Sequence, residues 1–176
     1  MTAERRLFAL DENFPQPIVD ANASYIRHAD LVPLRRIDAR LLNTPDWQIL
    51  LALHQDKKRK WDGLITTDAR MLTLTKELSV LCQTKLTVVA VEAAGHDPIK
   101  ATGLLLAYLP GICKLTKPDQ AQVWMLRAVQ RKADLPWEYL RKEATRHNRT
   151  PDDVFKEMKL SDAELAVAVL PALATI

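Results

Sequence analysis

The chain has only two cysteines among 176 residues, Cys82 and Cys113, with no CxxC spacing and no histidine cluster beside them. That excludes zinc-ribbon and dithiol redox chemistry, and both read as buried thiols in a reducing cytosol. Glycine is scarce, at four residues, and no glycine-rich loop is present to cradle a phosphate. There is no histidine box: His28, His96 and His147 have no partner at ligand spacing. His54 falls on the apolar face of its helix, where a packed, hydrogen-bonded residue is expected. No apolar run approaches the roughly 20 residues needed to cross a bilayer. The first apolar stretch is cut at Asp11, so it forms no signal-peptide core. A cytoplasmic protein without a membrane partner is expected. A large excess of positive charge is also missing, since a net +3 and a pI near 8.9 permit nucleic-acid binding without marking a nucleic-acid coat protein.

What is present is the balance of an ordinary folded protein, 48% hydrophobic and 27% charged, long enough for one core and an appendage. Leu7-Phe-Ala-Leu10 is a short apolar run ending on Asp11-Glu12-Asn13, which predicts a buried strand leading into a loop. A helix over residues 18–26, with Pro17 in its first turn, and a strand over 29–34 follow. Thr44-Pro45-Asp46 predicts a helix start with Thr44 as N-cap, and Trp47, Leu50, Leu51 and His54 recur at helical spacing behind it. After the basic run of Lys57, Lys58, Arg59 and Lys60, Gly63-Leu-Ile-Thr66 reads as a strand ending on Thr67-Asp68. A helix over 71–81, a strand over 86–91 and a helix over 99–109, ended by Pro110-Gly111, complete an alternation that implies a mainly parallel sheet. Beyond Lys114 the pattern predicts helices alone, over 120–133, 137–148, 151–158 and 163–173. The expected organisation is therefore an α/β domain over 1–115 and an all-helical extension over 116–176.

Ligands of open parallel sheets bind beyond the carboxyl ends of the strands. Asp11 and Asp68 both end strands, and Asp46 at a helix start can reach the same crevice. Carboxylates gathered in one crevice repel each other unless a divalent cation neutralises them, and oxygen-only ligands suit Mg²⁺ or Mn²⁺. Each acid also has a simpler explanation. Asp11 and Asp68 can serve as helix caps, and the helix dipole favours Asp46 in a first turn whatever its function. Thr150-Pro151-Asp152 repeats the Thr-Pro-Asp start far from the other acids. Asp62 can make a turn before its strand, and Glu12 and Asn13 can be exposed loop residues.

The segments Leu10-Asp11-Glu12-Asn13-Phe14-Pro15, Asp46-Trp47-Gln48-Ile49-Leu50 and Asp62-Gly-Leu-Ile-Thr66-Thr67-Asp68 occur in the order seen in PIN-like nucleases. Over about residues 7–115 the chain resembles the small toxin-type PIN-like proteins that open with Leu-Asp-Glu-Asn-x-Pro. The resemblance implies a three-layer α/β/α sandwich and a Mg²⁺- or Mn²⁺-dependent endoribonuclease leaving a 5′-phosphate and a 3′-hydroxyl. It also suggests a toxin with an antitoxin partner. Asp11, Asp46 and Asp68 take the places of its catalytic metal ligands, with Thr66 completing a Thr-x-Asp. Glu12, Asn13 and Asp62 are expected in a supporting or substrate-contacting role. One departure stands out: the further helix-borne acid of this family has only Asp30 or Asp38 to supply it. A PIN-like module that keeps the fold for RNA or protein binding without catalysis is therefore the second expectation. The Asp-x-Asp of metal-dependent phosphatases is absent, because Glu12 and Asn13 follow Asp11.

Lys57, Lys58, Arg59 and Lys60 are candidates to guide an RNA backbone toward the metal. Their simpler reading is a solvated helix end. Trp124, Trp137 and Tyr139 read as packing residues, and Arg127, Arg131, Lys132, Arg141, Lys142, Arg146 and Arg149 as an exposed helical face. The amphipathic tail can complete the monomer's core or hold a protein partner or a second copy of the chain.

Overall fold

The structure, a computed structural model, describes residues 5–92, 97–127 and 133–170. Its strands are β1 (Arg6–Leu10), β2 (Ala29–Pro33), β3 (Gly63–Thr66), β4 (Thr87–Val91) and β5 (Gln122–Leu126). They form one parallel sheet in the order β2-β1-β3-β4-β5. Between and after them come α1 (Gln16–Ala21), α2 (Leu34–Ile37), α3 (Asp46–Gln55), α4 (Thr75–Gln83) and α5 (Pro98–Leu115). After β5 come α6 (Pro136–Arg146), α7 (Pro151–Met158) and α8 (Asp162–Ala166).

Side chains alternate across a strand, so each strand feeds two cores. Phe8, Leu10, Ile65, Val89, Val91, Trp124 and Leu126 pack on one face with α1 and α5. Ala9, Leu64, Val88, Ala90, Val123 and Met125 pack on the other with α3, α4 and α6. The result is the expected three-layer α/β/α sandwich with helices at the C-terminal end.

Gly63 sets the join between β3 and β4. A Cβ there would lie 1.7 Å from the Thr87 carbonyl oxygen, so only glycine lets the two backbones come this close.

Two expectations need correction. The segment over 120–133 begins not as a helix but as β5, which pairs with β4 along its whole length. A strand covered on both faces is a continuous apolar run, here Val-Trp-Met-Leu, and gives no period-2 contrast to separate it from a buried helix. The extension expected from residue 116 is therefore not all-helical but starts with the sheet's fifth strand. Pro110-Gly111 also does not end α5, which continues to Leu115. Burial of Leu109 and Ile112 on either side of Pro110 holds the last turn in place despite the missing amide donor.

The remaining helices tie back to the sandwich. Helices α6 and α7 pack on α4. Gln83 exchanges hydrogen bonds with the Leu160 backbone. Gln55 donates to the Leu165 and Val167 carbonyls and accepts from Val169 N. Helix α8 carries the Ser161–Glu164 capping box and ends at Ala166, and the last part of the helix expected over 163–173 lies outside the described residues.

Candidate functional site

In this strand order the chain goes outward from β1 to β2 and then returns to the other side of β1 to form β3. The loops after β1 and β3 therefore leave in opposite directions and open a crevice at their carboxyl ends, where ligands of open parallel sheets bind. Asp11 follows β1 and Asp68 follows β3.

Asp11 is only 6% exposed, and its carboxylate is fixed by local donors. The Glu12 amide donates to Oδ1 at 2.7 Å, and the buried Thr66 hydroxyl donates to Oδ2 at 2.7 Å. Asn13 Nδ2 reaches the same Oδ2 at 3.4 Å. Thr66 Oγ1 in turn accepts from the Asp68 amide at 2.9 Å, so one hydroxyl ties the two strand ends together. Thr67 Oγ1 donates to the Asn13 carbonyl, a second tie between the same loops. The Glu12 residue itself is exposed.

Asp46 opens α3, near enough to Asp11, Glu77 and Asp68 to feel their charge. Partial burial is the main cause that pushes its carboxyl up to about 6, and repulsion from Asp11, Glu77 and Asp68 adds to it against a smaller opposing pull from Arg70. Thr44 does not cap α3 as expected; its hydroxyl donates to the Arg40 carbonyl. Thr150, by contrast, caps α7 by accepting from Asp153 N. The two Thr-Pro-Asp segments thus start their helices differently, since only the second has its threonine as cap.

Glu77 is the acid the sequence did not reveal. It lies in the first turn of α4, 9% exposed, and burial raises its pKa. Asp30 and Asp38, the residues considered for a further acid, lie elsewhere. Asp30 pairs with Arg5 at 2.9 Å, and Asp38 with Arg40 at 2.6 Å.

Asp68 is turned toward Arg70, whose guanidinium grips both carboxylate oxygens at 2.9 and 2.8 Å. That hydrogen-bonded pairing is the main reason its pKa is lowered. Asp38-Ala39-Arg40 makes the same fork, so the pairing is a local property of Asp-Ala-Arg at the start of a 3-10 turn. Among the described residues, no three acidic, histidine or cysteine side chains are gathered closely enough to hold a metal ion. The carboxylates whose charge reaches Asp46 offer the oxygen donors that a hard divalent cation takes, but they stand too far apart to form a ready ligand set. The Arg70 side chain is 87% exposed, so its grip on Asp68 is weak and displaceable.

The other candidates lie away from this edge. Asp62 precedes β3, at the opposite end of the sheet. Its carboxylate accepts from Arg6 Nη1 and from Leu7 N, both at 2.8 Å, and so anchors the start of β1 rather than supporting the carboxylates. Lys57, Lys58, Arg59 and Lys60 lie on the same far edge, because they lead into β3 from its amino end. The run therefore does not adjoin Asp11, which follows the carboxyl end of β1. His54 is exposed rather than packed. Trp124 is buried in the core, Trp137 packs edge-on against Phe155, and Tyr139 donates to Asp134. Arg127, Arg141, Arg146 and Arg149 pair with Glu92, Glu138, Glu143 and Glu157, while Arg131, Lys132 and His96 lie outside the described residues. Among the described residues no helix is long and apolar enough to cross a membrane.

Comparison of the chain with family models, curated proteins and solved structures returns no match.

Proposed function

We propose that the chain is a PIN-like, metal-dependent endoribonuclease whose site is the carboxylate group of Asp11, Asp46, Asp68 and Glu77. The reading is supported by one observation: the Thr66 hydroxyl joins the Asp11 carboxylate to the Asp68 amide across the two strand ends that flank the crevice, and Asp46 lies near enough to feel the charge of both acids. Asp11, Asp46 and Asp68 would hold Mg²⁺ or Mn²⁺, and Glu77 would support Asp46. Such a cation supplies Lewis acidity to a phosphodiester oxygen and charge neutralisation as water attacks phosphorus.

The chain's own residues set the geometry. Thr66 and the Glu12 amide fix the Asp11 carboxylate, leaving it little rotamer freedom to lose when it binds a ligand. Hydrolysis would break the P–O3′ bond, with water's oxygen going to phosphorus; the phosphate stays on the 5′ oxygen of the downstream fragment and the departing 3′ oxygen of the upstream fragment takes a proton. The resemblance to toxin-type proteins extends the proposal to a toxin held by an antitoxin, in which case expression of the chain alone arrests growth.

The Arg70 fork on Asp68 favours a second reading, a PIN-like module that binds RNA or protein without cleaving it. Incubation of single-stranded RNA with Mn²⁺, with and without EDTA, separates the two. The nuclease reading expects cleavage by the native chain and none by Asp68→Asn. Equal cleavage by both proteins eliminates it.

A further inference from the structure

At the edge of the sheet opposite the carboxylates lies a cavity of about 330 Å³, lined by the end of α3, the loop before β3, the residues just before β4 and the loop after α5. Five cations line it: Lys57, Arg59, Lys60, Lys85 and Lys117. Its three acids are engaged. Asp56 accepts from Arg59 Nε at 3.2 Å and from Trp61 Nε1 at 2.9 Å, Asp119 pairs with Lys85 at 3.3 Å, and Asp62 is held by Arg6. The Arg59 guanidinium also lies 5.0 Å from the centre of the buried Trp61 ring, which makes this loop a built wall. The ammonium groups of Lys57, Lys60 and Lys117 have no partner among the described residues.

Cations near helix ends ordinarily offset the macrodipole, and α3, α4 and α5 all end at this edge. Each end carries about half a negative charge. The end of α5 already has its cation, since Arg6 donates to the Cys113 and Thr116 carbonyls. With Arg6 counted among the cations and the acids and helix ends subtracted, the surplus at this edge stays positive. Thr116, on the cavity wall, also has a buried hydroxyl without a hydrogen-bond partner.

We infer that this cavity is a phosphate-binding exosite for single-stranded RNA, in which Lys57, Lys60 and Lys117 take backbone phosphates remote from the cleavage site. The ribonuclease reading supplies the identity of the anion; the charge surplus stands without it. RNA long enough to pass around the sandwich would engage both edges, and a dinucleotide would reach only the carboxylates.

The test is binding of a labelled single-stranded RNA oligonucleotide in EDTA, across a salt series, by the native chain and by Lys57→Gln/Lys60→Gln/Lys117→Gln. All three changes are at solvent-facing side chains, and a thermal melt checks that the variant is folded. The variant is expected to bind about tenfold more weakly, with a log-affinity against log-salt slope smaller by about 2, at roughly 0.7 per lost phosphate contact. Dinucleotide cleavage in Mn²⁺ should be unchanged. Equal affinity and slope for the two proteins overturn the exosite. So does protection of the native chain alone by inorganic phosphate with unaltered RNA binding, which marks a small-anion pocket. Weaker RNA binding by the variant in a chain that never cleaves keeps the exosite and refutes only the nuclease.

Discussion

Asp46→Asn removes one negative charge from a place where three others oppose it, so it should stabilise the metal-free protein. Burial and the neighbouring acids raise the Asp46 carboxyl from 3.8 to about 6. A carboxyl with a raised native pKa binds its proton more tightly folded than unfolded. Native stability therefore falls as pH rises from about 4 to about 6 and stays lower above that range. Two units correspond to roughly 3 kcal/mol, and solvent screening of this partly exposed side chain reduces that to about 1 kcal/mol. For a chain of this size that is a gain of about 2–4 °C in melting temperature. Thermal or urea melts in EDTA at pH 8 and pH 4 measure it. The variant should gain at pH 8 and match the native protein at pH 4, where Asp46 is itself mostly neutral. Added Mn²⁺ should reverse the order at pH 8 by stabilising the native chain alone. A variant no more stable than the native protein at pH 8 refutes the picture of a strained carboxylate group.

Gly63→Ala should destabilise the fold by about 3 kcal/mol or more, read by urea denaturation, because its methyl group would overlap the Thr87 carbonyl. Asp62→Ala should cost about 2–4 kcal/mol by leaving Arg6 and the Leu7 amide without their acceptor, yet cleavage per folded molecule should persist. Loss of activity without loss of stability would return Asp62 to the site. Arg70→Ala should tighten Mn²⁺ binding several-fold in calorimetric titration by freeing Asp68, and unchanged affinity would show that Arg70 does not compete with the cation.

The sequence made β1 and β3 legible because each is a short apolar run that stops at an acid. It showed β4 because Thr-Val-Val-Ala-Val is β-branched and bounded. It hid β5, since a strand buried on both faces carries no alternation, and it placed the end of α5 too early, since proline's local cost was outweighed by packing of Leu109 and Ile112. Asp11 and Asp68 could be placed from strand ends alone. Glu77 could not, because acids are common in a first helical turn. The available signal was its position four residues before the buried Leu81, on a face where a charge is out of place. That Asp62 and the lysines lie away from the carboxylates was hidden for a single reason. Nearness in sequence to β3 does not say which end of the strand a residue occupies, and both precede it.

The central claim is that the strand-end carboxylates cleave RNA together with a cation, and the most direct measurement compares the native chain with Asp11→Asn on end-labelled single-stranded RNA in Mn²⁺. Products with 5′-phosphate and 3′-hydroxyl ends are expected from the native chain. The variant should lose more rate than the roughly 10–100-fold typical of removing an outer-shell partner of a metal ligand. A folded Asp11→Asn protein that cleaves at the native rate, or a native chain that cleaves no RNA in Mn²⁺, contradicts it.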